Sequence, residues 1–152
     1  MDYLKPVERK LKSQIATIPK VIADLVIINS PNIIRQVQKR WLIGESVLGG
    51  FIGEYSNSQM GQDYKAFKMS LNPSAGGHVD LTLTGALSEN ITVKQKSQDS
   101  FLVYSTDSKY DEIGSKYGFE EFGLAEHEWD EMQQEILAFA LETVLKKTYE
   151  LL

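Results

Sequence analysis

The chain has 152 residues, no cysteine, two histidines and a formal net charge of −5. The lack of cysteine rules out disulfides, thiolate metal sites and cysteine nucleophiles, and His78 and His127 alone cannot build a multi-histidine centre. The acidic balance argues against a general duplex binder, which needs a basic face. With 42% hydrophobic and 24% charged residues, the chain reads as one domain with its own core.

Residues 3–28 carry apolar side chains at every third or fourth place (Leu4, Val7, Leu11, Ile15, Ile18, Ile22, Leu25), the stripe of an amphipathic helix. Pro6 fits a first turn, whereas Pro19 clashes with a preceding turn and predicts a kink or break near Ile18. Residues 21–28 are rich in β-branched side chains and are open to a strand reading as well. The first residues are polar and charged, and the run at 21–28 is interrupted by Asp24, so we expect neither a signal peptide nor a membrane span.

A second helix is expected from Ser30, a suitable N-cap, with Pro31 at the first helical position. Ile33, Ile34, Val37 and Trp41 would face inward, with Arg35, Gln38 and Lys39 outward, and Gly44 would end it. This N-terminal part is basic: Lys5, Arg9, Lys10, Lys12, Lys20, Arg35, Lys39 and Arg40 stand against Asp2, Glu8 and Asp24. The C-terminal part is acidic. Such polarity either orients a protein in an assembly or marks solvated faces.

Residues 45–63 are rich in Gly and Ser, and a short edge strand is expected around Phe51, Ile52 and Tyr55. A short helix is expected over 63–71, and a loop over 72–77. Residues 79–84 alternate like a strand, yet 84–89 also suit a short helix capped by Thr84. Residues 91–96 and 101–105 form the clearest pair, an antiparallel hairpin joined by a tight polar turn. Residues 107–123 read as a polar loop hinged at Gly114, Gly118 and Gly123. Residues 126–150 form the longest helix, with Trp129, Met132, Ile136, Phe139, Ala140, Val144 and Leu145 as its buried stripe. Its acids lie at the start and Lys146 and Lys147 near the end, the favourable order for a helix dipole. The fold class is therefore α+β: a small antiparallel sheet packed with N-terminal helices (1–44) and one long C-terminal helix (125–152), with sheet and loops between (45–124), in one domain of residues 1–152.

Chemistry is sparse. His127-Glu128 on a helix lacks the second histidine of a zinc-protease face. The carboxylate pairs Asp111-Glu112 and Glu120-Glu121 read as solvated loop charges, since glycosidic chemistry needs two carboxylates facing across a cleft. Gly49-Gly50-Phe51-Ile52-Gly53 is not a phosphate-binding loop, because no Lys-Ser/Thr ending follows. We expect no catalytic residue, no cofactor and no metal. Exposed aromatics would mark a protein interface, and Phe51, Tyr55, Tyr117 and Phe119 are the candidates.

Four stretches in order, Phe51-Ile52-Gly53-Glu54-Tyr55-Ser56, Val79-Asp80-Leu81-Thr82-Leu83-Thr84-Gly85-Ala86-Leu87, Ile91-Thr92-Val93, and Lys116-Tyr117-Gly118 with Phe122-Gly123-Leu124, resemble small tailed-phage structural proteins of the virion-morphogenesis or tail-completion type. The resemblance covers about residues 45–150. It implies structural roles for Thr84, Gly85, Leu87, Phe122 and Gly123: a tight turn at Gly85, a core anchor at Leu87, and Phe122 and Gly123 fixing the angle at which the last helix leaves. It further implies a non-enzymatic virion protein, assembled in the host cytoplasm. This protein would form a homo-oligomeric ring at the head–tail junction or top of the tail, with portal, neck or tail proteins as neighbours. DNA would pass through without sequence-specific binding, and no membrane would be involved. Ala125 departs from the pattern, standing where a Ser, Thr or Asn cap is expected, and the basic N-terminal helices have no counterpart in it. Two other classes stay open: a small cytoplasmic hydrolase using loop carboxylates with His78 or His127, and an adaptor that binds a partner through the N-terminal helix.

Overall fold

The computed structural model describes residues 4–82, 84–97 and 100–149. Expectations that fall on Leu83, the Gln98-Asp99 turn and residue 150, and on the side chains of Leu4 and Val7, lie outside these. The architecture is α+β. Among the described residues, seven α-helices (α1 Leu4–Ile15, α2 Ile18–Ile28, α3 Ser30–Leu42, α4 Gln59–Leu71, α5 Ala86–Glu89, α6 Tyr110–Tyr117, α7 Glu126–Tyr149) surround one hairpin, β1 Ile91–Ser97 and β2 Ser100–Ser105.

The N-terminal segment breaks where Pro19 demands it. α1 ends at Ile15, and α2 begins at Ile18 with the proline in its first turn, where a missing N–H costs nothing. Residues 21–28 are helical, which resolves that alternative. Ser30 does not cap α3. Its hydroxyl donates backward to the Ile27 carbonyl at 2.6 Å, and the capping position falls to Asn29. Gly44 follows the helix at φ +72°, and a Cβ there would meet the Val79 carbonyl at 3.0 Å, so the tight exit requires glycine.

The hairpin pairs Ile91 with Ser105 through Gln95 with Phe101, antiparallel as expected. The other two strand expectations fail. Around Phe51 only an isolated bridge to Glu45 forms, in a segment where Gly49 and Gly50 both take positive φ. At 79–82 the Asp80 carboxylate accepts from the Thr82 amide at 3.0 Å and from the Thr82 hydroxyl at 2.6 Å. That local turn draws the backbone out of a ladder. The expected polar loop after the hairpin holds α6, whose Tyr110, Ile113 and Tyr117 share the helical spacing of a packed face.

Two apolar clusters meet at the hairpin. One gathers Val37, Trp41, Val79, Leu81, Leu87, Ile91 and Phe122; the other gathers Leu25, Val26, Ile33, Ile136 and Ala140. Val103 and Leu124 pack against both. α2 lies along α7 and closes the second cluster. The α7 stripe is narrower than its sequence suggests. Ile136, Ala140 and Val144 are buried, whereas Phe139 and Leu145 are more than half exposed and Trp129 is also exposed. One turn-offset contact row on α2 cannot cover an apolar band that wide.

Candidate functional site

Three features of the molecule bear on function: a buried polar knot, a tyrosine-lined pocket and an unpartnered apolar helix face. The knot fastens the Phe-Gly element. Phe122 is fully buried, edge-on to Trp41 at 5.1 Å and to Tyr110 at 4.5 Å. Beside it, Arg40 donates to the Glu121 carbonyl (2.9 Å), to the Gly123 carbonyl (2.7 Å) and to the Glu128 carboxylate (2.7 Å). The Trp41 indole N–H donates to the same Glu121 carbonyl. The Glu121 carboxylate accepts from the Ser46 hydroxyl (2.5 Å) and from the Val47 amide (3.0 Å).

Two expectations are corrected here. Arg40 is 3% exposed and belongs to no basic surface, and Glu121 is 3% exposed and no solvated loop charge. Arg40, on α3, reaches the Glu121 carbonyl, while the 3₁₀ turn Phe119–Phe122 aims the Glu121 carboxylate at Ser46 and Val47. The Ala125 departure is explained as well. Glu128, three residues on, reaches back to the Ala125 amide at 2.7 Å, supplying the reciprocal half of a capping box without the hydroxyl half. Gly123 is extended (φ −82°, ψ −175°), so its contribution is its carbonyl to Arg40, not hinge freedom.

The Thr-Gly stretch is also built in firmly. Gly85 has φ +77° and precedes α5, as a tight turn requires. Leu87 is buried in the first cluster. The Leu87 carbonyl accepts from the Ser105 hydroxyl at 2.9 Å, and the Ser88 carbonyl accepts from Gln38 at 2.9 Å, so α5 is tied to the hairpin and to α3. Thr84 is exposed and only weakly engaged, with the Ala86 amide 3.4 Å from its hydroxyl.

The pocket holds about 260 Å³ and is lined by Tyr55, Tyr64, Asp80, Thr84, Glu112, Lys116 and Tyr117 among others. Asp80 in its wall forms a buried ion pair with Lys68 at 2.5 Å. Burial pushes the Asp80 carboxyl up, but hydrogen bonds from Lys68 and Thr82 and the Lys68 charge outweigh it, leaving Asp80 below its usual value. Burial, with the Asp80 charge adding to it, raises the Tyr55 phenol from 10.0 to about 12. Both shifts move away from neutrality, the wrong direction for general acid–base work near pH 7.

Comparison with protein-family models, with curated proteins and with solved structures found no match.

The four interface candidates divide. Phe51 and Phe119 are exposed, at 58% and 47%. Tyr55 and Tyr117 are partly buried and pack against the first cluster. Phe51 stacks flat on His78 at 3.4 Å. His127 is exposed at the start of α7, beside an open groove of about 490 Å³ that also meets Glu45 and Asp130. Among the described residues no group of three or more His, Cys, Asp or Glu could hold a metal ion, and no helix is long and apolar enough to cross a membrane.

The helix expected over 63–71 is there as α4, Gln59–Leu71, but the exposure of its apolar side was not foreseen. Met60, Tyr64, Phe67 and Leu71, spaced by four, three and four residues, are all exposed, at 42% to 82%. The residue that α4 buries is Lys68. The apolar stripe is thus left outside, next to the exposed Asp63, while a lysine turns inward. The spacing was visible in the sequence, but it reads as a core stripe until the Lys68–Asp80 pair shows which face is inward.

Proposed function

We propose that this chain is a structural protein of a tailed-phage virion, without catalysis, which forms a homo-oligomeric ring at the head–tail junction or the top of the tail. The observation that carries the reading is the exposed apolar surface. The α4 stripe and the Leu137, Leu141, Leu145 row of α7 leave apolar side chains uncovered, and rows of this kind mark protein interfaces. The four-stretch resemblance supports it independently. In those stretches Leu87 and Phe122 are buried and Arg40 holds the Gly123 carbonyl, as suits a frame that holds interaction surfaces in place. The net charge of −5 suits a channel that DNA leaves without being held. Portal, neck or tail proteins are the expected neighbours.

The hydrolase reading has one observation in its favour, the pocket with shifted titratable groups. Glu112 reaches it, but neither histidine lines it, and its shifts do not suit acid–base chemistry. The deciding experiment is mass spectrometry of purified particles from the phage genome that carries this sequence, with electron microscopy of particles from a deletion. The chain is expected in the particle, and its deletion is expected to leave heads and tails unjoined or tails unfinished. Intact infectious particles lacking the chain would overturn the reading.

A further inference from the structure

One carboxylate oxygen in the interior is left without a donor. Asp80 is 6% exposed, and its two oxygens stand in unequal surroundings. Oδ1 accepts from the Lys68 ammonium, the Thr82 amide and the Thr82 hydroxyl. Oδ2 is buried and has no hydrogen-bond partner among the described residues, and the same holds for the Tyr55 hydroxyl. Both residues line the cavity of about 260 Å³ between the 79–84 segment, α4 and α6. Buried polar atoms in a folded chain are nearly always partnered, so two orphans at one cavity mark a place that a ligand completes.

The surroundings narrow what that ligand is. Lys68 already balances the Asp80 charge, so the free oxygen calls for a neutral N–H or O–H donor and not for a second ammonium. The Tyr55 phenol keeps its proton to about 12, and its hydroxyl can donate to, or accept from, a neighbouring atom of the same ligand. Tyr55, Tyr64 and Tyr117 line the walls, with ring surfaces on which a flat heterocycle stacks. A benzene-sized ring fills about 150 Å³, so there is room for one flat ring and part of a substituent. Among the described residues the rim carries two exposed lysines, Lys109 and Lys116, and one exposed carboxylate, Glu112. That excess of positive charge suits an anionic substituent. A donor beside an acceptor on a flat ring, with an anion reaching outward, is the pattern of a nucleobase that carries a phosphate.

We propose that this cavity binds a nucleoside monophosphate: Asp80 Oδ2 accepts from the base, the Tyr55 hydroxyl bonds beside it, and Lys109 and Lys116 hold the phosphate. It is a binding site, and it stands whether or not the chain belongs to a virion. The test is calorimetric titration of the full chain with each of the four ribonucleoside 5′-monophosphates. At least one is expected to bind once per chain, while ribose 5-phosphate and inorganic phosphate give no saturable heat. Tyr55→Phe, which removes one hydroxyl and keeps the ring, should weaken binding about tenfold. Lys109→Gln with Lys116→Gln changes two exposed positions that the fold does not need. It should weaken the nucleotide about fivefold and leave the nucleoside unchanged. Four flat titrations, as a cavity filled by water alone gives, overturn the proposal. So do ribose 5-phosphate binding as tightly as the nucleotide, a folded Tyr55→Phe chain that binds unchanged, and a lysine variant that keeps the full nucleotide affinity. A 5′-phosphorylated decanucleotide that competes places the ligand at a nucleic-acid end. One that does not compete places it in the free nucleotide pool, and both results keep the site.

Discussion

α3 and α4 are both thirteen residues long, and they solve opposite problems. α3 buries Ile33, Val37 and Trp41 and adds one buried charge, Arg40, whose guanidinium donates to three partners. α4 buries Lys68 against Asp80 and leaves its apolar residues outside. The lesson is that periodicity fixes which residues share a face, while the neighbour decides which face turns inward. A buried carboxylate at Asp80 selects the lysine face of α4, and the apolar stripe is left for something else.

The largest effect should come from α3. Arg40→Ala leaves Glu128 and two carbonyls short of a donor in a buried setting, and should cost about 3–5 kcal/mol in denaturant unfolding. A loss under about 1 kcal/mol would mean that the knot does not fasten the Phe-Gly element. On α4, Lys68→Ala should cost about 3 kcal/mol, nearer the low end, because Thr82 still serves Asp80.

The apolar residues sharpen the contrast further. Ile33→Ala on α3 should cost about 2–5 kcal/mol. Phe67→Ser on α4 should stay within about 0.5 kcal/mol for the lone chain. Equal losses in thermal unfolding of the monomer would erase the distinction between the two helices.

Smaller effects should appear with pH. Asp80 holds its proton less tightly when folded than when unfolded. The stability this contributes is present above the ordinary carboxylate value, about 4, and is lost as pH falls below it; Asp80→Asn should flatten that acid limb. Tyr55 keeps its proton to about 12 in the folded chain, against 10.0 when unfolded. Its contribution is present below pH 10.0 and lost as pH rises towards 12, so Tyr55→Phe should remove part of the alkaline slope in a pH-melting series.

Much of this was readable in advance where local rules suffice. Pro19 placed the first break, the alternation at 91–96 and 101–105 placed the hairpin, and the acid-to-base order placed α7. The failures share one cause. Ser30, Asp80, Glu121 and Arg40 are polar residues whose partners lie on other elements or in a turn that competes with a strand. α6 was hidden behind its polar residues although Tyr110, Ile113 and Tyr117 carried its period. Of the residues in the resemblance stretches, Leu87 and Phe122 are buried and Gly85 takes a positive φ, while the loop reading gave Gly123 a hinge role that its extended backbone does not need.

The sequence by itself determined the α+β class, the hairpin and the long last helix, because propensity, proline sterics and period act over a few residues. Only the tertiary structure decided that Arg40 and Glu121 are interior, that α4 leaves its apolar stripe outside, and that Trp129, Phe139 and Leu145 of the α7 stripe face solvent. Burial of a charge depends on whether a partner waits across the chain, tens of residues away, and no local pattern records that distance.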